Sequence, residues 1–363
     1  MDIWIYGAGK RCDHLMEKLS LYPDINVVGV ADSFFRGERY GFTVSDLLHN
    51  DDENCPKDSV VVITIAKPKD VLRVARALQL KGYSNIYFYL EKTMCFQGFL
   101  NGECRPILSI LESVFPSLEM HVVDYCNLNC AGCLHFSPLF PKKAPPFDRR
   151  IQDLKTMKNL FHDILLLYLL GGEPLLNKDV CRYMMEARRL YPDAEIQLIT
   201  NGLLLPKMEE DFFVCAHDYQ ITIVISVYPP TSKILDIITG RLQQNHIDYI
   251  LRDSNERRSF NRPLSMRKNS VWERCCLSDG CTAVCDGKIA RCPTLLYINK
   301  FNEFFKENLP SAGIYSLTEF DNGETLKKQL EERIPLCDYC VRNDMPWHTC
   351  GSTIRLEEFA SPE

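Results

Sequence analysis

Cys126-Asn127-Leu128-Asn129-Cys130-Ala131-Gly132-Cys133 is the stretch that decides how this chain is read. Its three cysteines are spaced Cys-x3-Cys-x2-Cys and follow directly on the apolar run Met120–Val123. Iron–sulfur clusters are held by Cys thiolates, normally four for a cubane. A compact trio leaves one iron without a protein ligand and open to a small molecule. A zinc knuckle and three unrelated buried thiols are the alternatives. Zinc sites usually arrive as paired Cys-x2-Cys arms, and no partner arm lies nearby in the sequence.

Working outward, Leu169-Leu170-Gly171-Gly172-Glu173-Pro174 lies downstream, then Ile199-Thr200-Asn201-Gly202 and Ile225-Ser226-Val227-Tyr228. With the cysteine loop, this series resembles the radical S-adenosylmethionine (SAM) superfamily over roughly Glu119–Asp253, Gly171–Pro174 matching its "GGEP" motif. The resemblance implies a [4Fe-4S] cluster on Cys126, Cys130 and Cys133 that binds SAM through the open iron. It implies reductive cleavage of SAM to a 5′-deoxyadenosyl radical that takes a hydrogen atom from substrate. Gly171, Gly172, Glu173 and Pro174 are then expected at the methionine end of SAM, Glu173 nearest its amino group. Asn201 and Ser226, at strand ends, are expected at its ribose or carboxylate, with buried structural roles as the competing reading. Tyr125 could stack on or shield the cluster, and His135 is a further candidate for substrate contact.

The composition is that of an ordinary globular protein, 46% hydrophobic and 25% charged over 363 residues, long enough for two or three domains. A net charge of -6 argues against a nucleic-acid-binding surface, which is normally basic. Basic residues do gather at Arg252, Arg257, Arg258, Arg262 and Arg267, where a solvated loop and a site for an anionic substrate are equally good readings. Seventeen cysteines in a chain that opens without a cationic, apolar leader point to reduced or metal-bound thiols, hence to a cytoplasmic protein. No apolar run approaches the roughly 20 residues a membrane span needs, so no membrane association is expected.

Residues 1–95 alternate strand and helix and read as a small doubly wound Rossmann-like sheet. Gly7-Ala8-Gly9 follows the first strand, where glycines let backbone approach a pyrophosphate at a helix N-terminus. Asp32 ends the second strand, where a carboxylate could bind a ribose hydroxyl. Cys12 stands in the third glycine's place, so the GxGxxG pattern is incomplete. The domain resembles nucleotide- or nucleotide-sugar-binding folds, and a docking module without a ligand is the alternative. Residues 96–118 form a connector with a helical piece over Ile107–Phe115. Residues 119–258 then repeat strand and helix and, allowing one further strand near Pro263–Met266, read as a partial six-stranded β/α barrel.

Residues 259–363 carry a second concentration of cysteines. Gly287-Lys288-Ile289-Ala290-Arg291-Cys292 is Gly-x4-Cys, and Cys337-x2-Cys340 follows. The pattern resembles the SPASM or shortened "twitch" auxiliary-cluster domains of radical SAM enzymes. That resemblance implies one further [4Fe-4S] cluster on Cys276, Cys292, Cys337 and Cys340, with Cys275 or Cys281 able to replace Cys276. Structural zinc on the same thiolates is the alternative.

The fold class is therefore α/β with a cysteine-rich tail, and the function expected is that of a radical SAM oxidoreductase. A sugar or nucleotide-linked sugar is the leading substrate class, with a flavodoxin or ferredoxin as electron donor. Peptide maturation and a non-catalytic redox scaffold are the rivals. The sequence does not single out a general base; Arg252 or another polar residue of the cavity wall could serve.

Overall fold

The computed structural model describes residues 1–49, 54–89, 104–106, 113–252, 259–268 and 281–361. The chain divides into two compact units, Met1–Pro116 and Ser117–Glu363. In the first, four parallel strands lie in the spatial order Asn26–Ala31, Asp2–Tyr6, Val60–Ile63, Asn85–Tyr89, and Cys104–Pro106 adds antiparallel to the last. The helix Lys10–Leu19 buries Cys12, Leu15 and Leu19 against Ile3, Ile5, Val62 and Tyr89. Cys12 is thus a core residue of a helix face. The helix Pro68–Leu80 opens on a proline, whose missing N–H costs nothing at that position, and buries Val71, Val74, Ala75 and Leu78.

The second unit is built on an eight-stranded sheet. Five strands follow one another across it in chain order: Val114–Val123, Asp163–Gly171, Glu195–Thr200, Ile221–Ser226 and Tyr249–Arg252. The last four pair in parallel. The helices Phe147–Leu160, Val180–Leu190, Glu210–Asp218 and Leu235–Gln244 connect successive strands. Ile-Thr-Ile-Val-Ile-Ser over Ile221–Ser226 is buried at every position, as a parallel strand covered on both faces must be. On the far side of Val114–Val123 the sheet continues with a tail hairpin, Ala283–Cys285 and Lys288–Ala290, and then Ile314–Ser316. Asp286 and Gly287 turn this hairpin with φ of 52° and 76°, the left-handed pair that a tight two-residue turn favours.

Two expectations differ from what is observed. The strand near Pro263–Met266 forms as Ser259–Ser265, but it pairs with Cys340–Pro346 and Ala360–Ser361 in a separate three-stranded sheet. Both its edges are taken there, so it does not extend the parallel sheet beyond Tyr249–Arg252. The helical piece proposed over Ile107–Phe115 falls partly outside the described residues, and its last residues, Val114 and Phe115, already belong to a strand.

The strand Asp163–Gly171 approaches Val114–Val123 so closely at its end that only glycine fits. A Cβ on Gly171 would stand 1.9 Å from the Val123 carbonyl oxygen. Gly171→Ala is expected to lower stability by about 1–3 kcal/mol through overpacking. Gly240→Ala, on a helix with open space around the new methyl, should be neutral or stabilising. Parallel thermal melts of the two variants check both.

Candidate functional site

The site begins where the first two strands of the parallel sheet end. Gly172 N–H donates to Val123 O at 3.0 Å, and Glu173 N–H donates to Tyr125 O at 3.1 Å. A side chain on Gly172 would sit 2.1 Å from the Tyr125 carbonyl oxygen. The two glycines therefore let one strand end join the root of the cysteine loop, backbone to backbone. Asn177 reinforces the joint, its Nδ2 donating to Val122 O at 2.6 Å.

The loop beyond is held in a left-handed course at Asn129 and Gly132, with φ of 48° and 72°. Asn and Gly are the residues that tolerate this best. It carries Cys126 and Cys133 half-buried and Cys130 buried. Backbone and side-chain donors reach the sulfurs. Leu128 N–H lies 3.4 Å from Cys126 Sγ, and Asn201 Nδ2 lies 3.8 Å from the same atom while also donating to Asn127 Oδ1 at 2.7 Å. The indole N–H of Trp347 donates to Cys130 Sγ at 3.2 Å. His135 is pulled down by burial, but its hydrogen bonds to Cys133 and Glu119 outweigh this and raise it to about 9.

Glu173 is fully buried. Its carboxylate accepts from Thr200 Oγ1 at 2.6 Å, Asn201 N at 2.8 Å and Leu175 N at 3.1 Å. It thus caps the short turn begun by Pro174 and clamps the end of the strand Glu195–Thr200. Burial is the main reason its pKa rises to about 7. Asn201 faces both ways, tied to Glu173 through its backbone and to the cysteine loop through its side chain. Ser226 ends the next strand, largely buried and in register with Arg252. Tyr125 is half-buried. The sheet's C-terminal edge therefore brings together Cys126, Cys130, Cys133, Gly171, Gly172, Glu173, Pro174 and Asn201, and Ser226 lies on the same edge.

On the other flank of Val114–Val123 lies a polar cluster that the sequence did not announce. Arg150, 2% exposed, donates to Cys285 Sγ at 2.5 Å and to Asp124, and its Nε lies 3.2 Å from Asp286. Asp124 also meets His121 Nδ1 at 3.1 Å, and the His121 ring stacks on Tyr297 at 4.5 Å. Burial pushes His121 down to about 3, so it is neutral there. Part of this cluster lines a cavity of about 260 Å³ that also receives Arg149, Lys288 and Lys300.

The remaining candidates lie elsewhere. Cys292 and Cys337 pack on an apolar core that Phe136 and Leu139 share with the tail and that Cys133 also packs against, and Cys340 and Cys281 are half-buried; Cys275 and Cys276 lie outside the described residues. In the first unit the fold brings Gly7, Gly9 and Asp32 to neighbouring strand ends. Ala8 N–H donates to Asp32 Oδ2 at 2.8 Å, and Asp32 Oδ1 accepts from Phe34 and Phe35 N–H.

Residues 118–233 match a family described as a 4Fe-4S single cluster domain. GTP 3′,8-cyclase of Helicobacter pylori is 29% identical over 101 residues, covering 27% of this chain and 31% of that protein. GTP 3′,8-cyclase of Clostridium acetobutylicum is 31% identical over 106 residues, covering 26% and 30%. The chain thus spans about a third of the length of these relatives. A solved structure of BtrN in complex with AdoMet and 2-DOIA matches at 17% identity and a TM-score of 0.39, covering 62% of this chain and 92% of that one. SuiB of Streptococcus suis bound to precursor peptide SuiA matches at 16% identity and a TM-score of 0.25, covering 38% and 39%. The match over residues 118–233 and the likeness to the cyclases bear out the resemblance of the central domain to the radical SAM superfamily, which implies a [4Fe-4S] cluster and SAM as cofactors.

The donor set suits such a cluster. A cubane takes one thiolate per iron, and three thiols spread along a curved loop, with N–H donors at the sulfurs, offer that. Among the described residues no three His, Cys, Asp or Glu side chains converge around a point one ion could fill; a cubane asks for ligands farther apart. Among the described residues, too, no helix is long and apolar enough to cross a membrane.

Glu173 gives the site a pH signature. Its folded pKa, about 7, lies above an unfolded value near 4.3. The folded state therefore binds more protons between the two, and the contribution of Glu173 to stability declines as pH rises through that window. Relative to Glu173→Gln, the wild type should lose about 1.4 kcal/mol for each pH unit climbed between about pH 4.5 and 7. Urea melts of both proteins across that range measure it.

Proposed function

We propose that the chain is a radical SAM oxidoreductase acting on a sugar or a nucleotide-linked sugar. The observation that carries the first part is the cysteine trio on one loop, joined by backbone hydrogen bonds to the glycine-rich end of the neighbouring strand. A bound [4Fe-4S] cluster would supply an electron to cleave SAM at its open iron and leave a 5′-deoxyadenosyl radical to take hydrogen from substrate. In this reading Cys126, Cys130 and Cys133 are the ligands, and the backbone at Gly171–Pro174 receives the methionine end of SAM. Asn201 and Ser226 contribute side chains at the rim, and Tyr125 flanks the cluster. Asn201 also fixes the distance between that rim and Cys126.

The second part rests on the first unit, which we take as a Rossmann-like domain whose Gly7, Gly9 and Asp32 form a nucleotide-facing turn. The second unit is read as a partial β/α barrel followed, from about residue 259, by an auxiliary-cluster domain on Cys276, Cys292, Cys337 and Cys340. A flavodoxin or ferredoxin supplies the electron.

Anaerobic protein reconstituted with iron and sulfide, then given SAM and dithionite, should form 5′-deoxyadenosine; Cys130→Ala should form none. Deuterium from a nucleotide sugar deuterated at carbon should appear in that product, whereas label arriving only from a peptide would overturn the substrate class. Cys337→Ala with Cys340→Ala should lower bound iron from about eight to about four per chain, because each cubane holds four. Iron that stays unchanged would remove the auxiliary cluster.

A further inference from the structure

The tail returns to the cysteine loop after Cys337 and Cys340 have passed. From Trp347 to Cys350 it runs antiparallel alongside residues 129–131, joined there by an isolated β-bridge. Ala131 N–H donates to His348 O at 3.0 Å, Cys350 N–H donates to Asn129 O at 2.8 Å, and Cys130 and Thr349 form a β-bridge. These contacts fix the register of the strap, and the register delivers the half-buried Trp347 with its indole N–H 3.2 Å from Cys130 Sγ. Tyr228, two residues past the strand end at Ser226, lies 5.9 Å from the Trp347 ring, and Phe260 lies 6.2 Å from Tyr228. The indole is thus held among aromatic neighbours.

We infer that Trp347 is a positioning residue that sets the reduction potential of the cluster held by Cys126, Cys130 and Cys133, by donating its indole N–H to the Cys130 thiolate. The inference rests on the reading of that loop as the cluster site. A thiolate ligand gains negative charge when its cluster is reduced, and an N–H donor at the sulfur favours the more negative state. An indole is a donor only, so the bond cannot reverse its sense. Cys130 is also buried, and burial is a second lever on potential. Removing only the N–H separates the two.

The test is an EPR-monitored potentiometric titration of the reconstituted full-length protein, following the cubane signal that responds to SAM. Trp347→Phe keeps an aromatic ring and loses the donor. Replacing Trp347 by β-(3-benzothienyl)alanine keeps the bicyclic shape and puts sulfur where the N–H was. Both variants should bind wild-type amounts of iron, and in both the potential should move to more negative values. A shift in Trp347→Phe without one in the isosteric variant would assign the effect to packing and overturn the inference. So would unchanged potentials in both. If the wild type shows no SAM-responsive cubane, the cluster reading falls and takes this one with it; if the wild type shows it and neither variant shifts, only the role of Trp347 falls.

Discussion

Two backbone hydrogen bonds, Gly172 N–H to Val123 O and Glu173 N–H to Tyr125 O, are the constraint on which the site depends. They join the end of one parallel strand to the root of the cysteine loop, and nothing larger than glycine can occupy the strand end that makes them. From this joint the rest follows in sequence. Glu173 turns inward and takes the donors of Thr200, Asn201 and Leu175, which locks the next strand end. Asn201, placed by that clamp, reaches back to Asn127 and Cys126. Sheet edge and cysteine loop are thereby one rigid assembly, as a site that must hold reacting groups in register requires.

A buried carboxylate with three donors is a costly device unless every lone pair is met. Here its cost is set against position. Glu173 could be replaced by an apolar residue in a generic α/β sheet, but the side-chain tie to Thr200 and Asn201 would then be lost. The raised pKa is the mark of that burial, and the same residue would lose much of its hold on neighbouring N–H groups if it were protonated. Structural work is thus the first account of Glu173, beside the cofactor contact that the resemblance implies.

The cysteine loop is visible in the sequence because its pattern is local: three thiols fall within eight residues, Cys126 to Cys133. The parallel strands were legible for a similar reason, as β-branched runs such as Ile221–Ser226 announce burial on both faces. Gly171 and Gly172 were visible as a motif, yet what they accommodate, the carbonyls of Val123 and Tyr125, is a contact between strands. Trp347 and the Arg150–Asp124–Cys285 cluster could not be read, since they depend on where a tail more than a hundred residues downstream lands. The same limit explains Ser259–Ser265: its strand character was readable, but its choice of partner depended on Cys340–Pro346. Cys12 departed from a glycine pattern because the helix face there belongs to the core.

The central claim is that three thiolates on this loop hold a cubane with one iron left for SAM. The most direct measurement is the EPR spectrum of anaerobically reduced protein with and without SAM. A [4Fe-4S] signal whose g-values change on adding SAM, and which vanishes in Cys126→Ala, is the predicted result. A protein that takes up no cubane at this loop, or one whose signal is indifferent to SAM, would contradict the account.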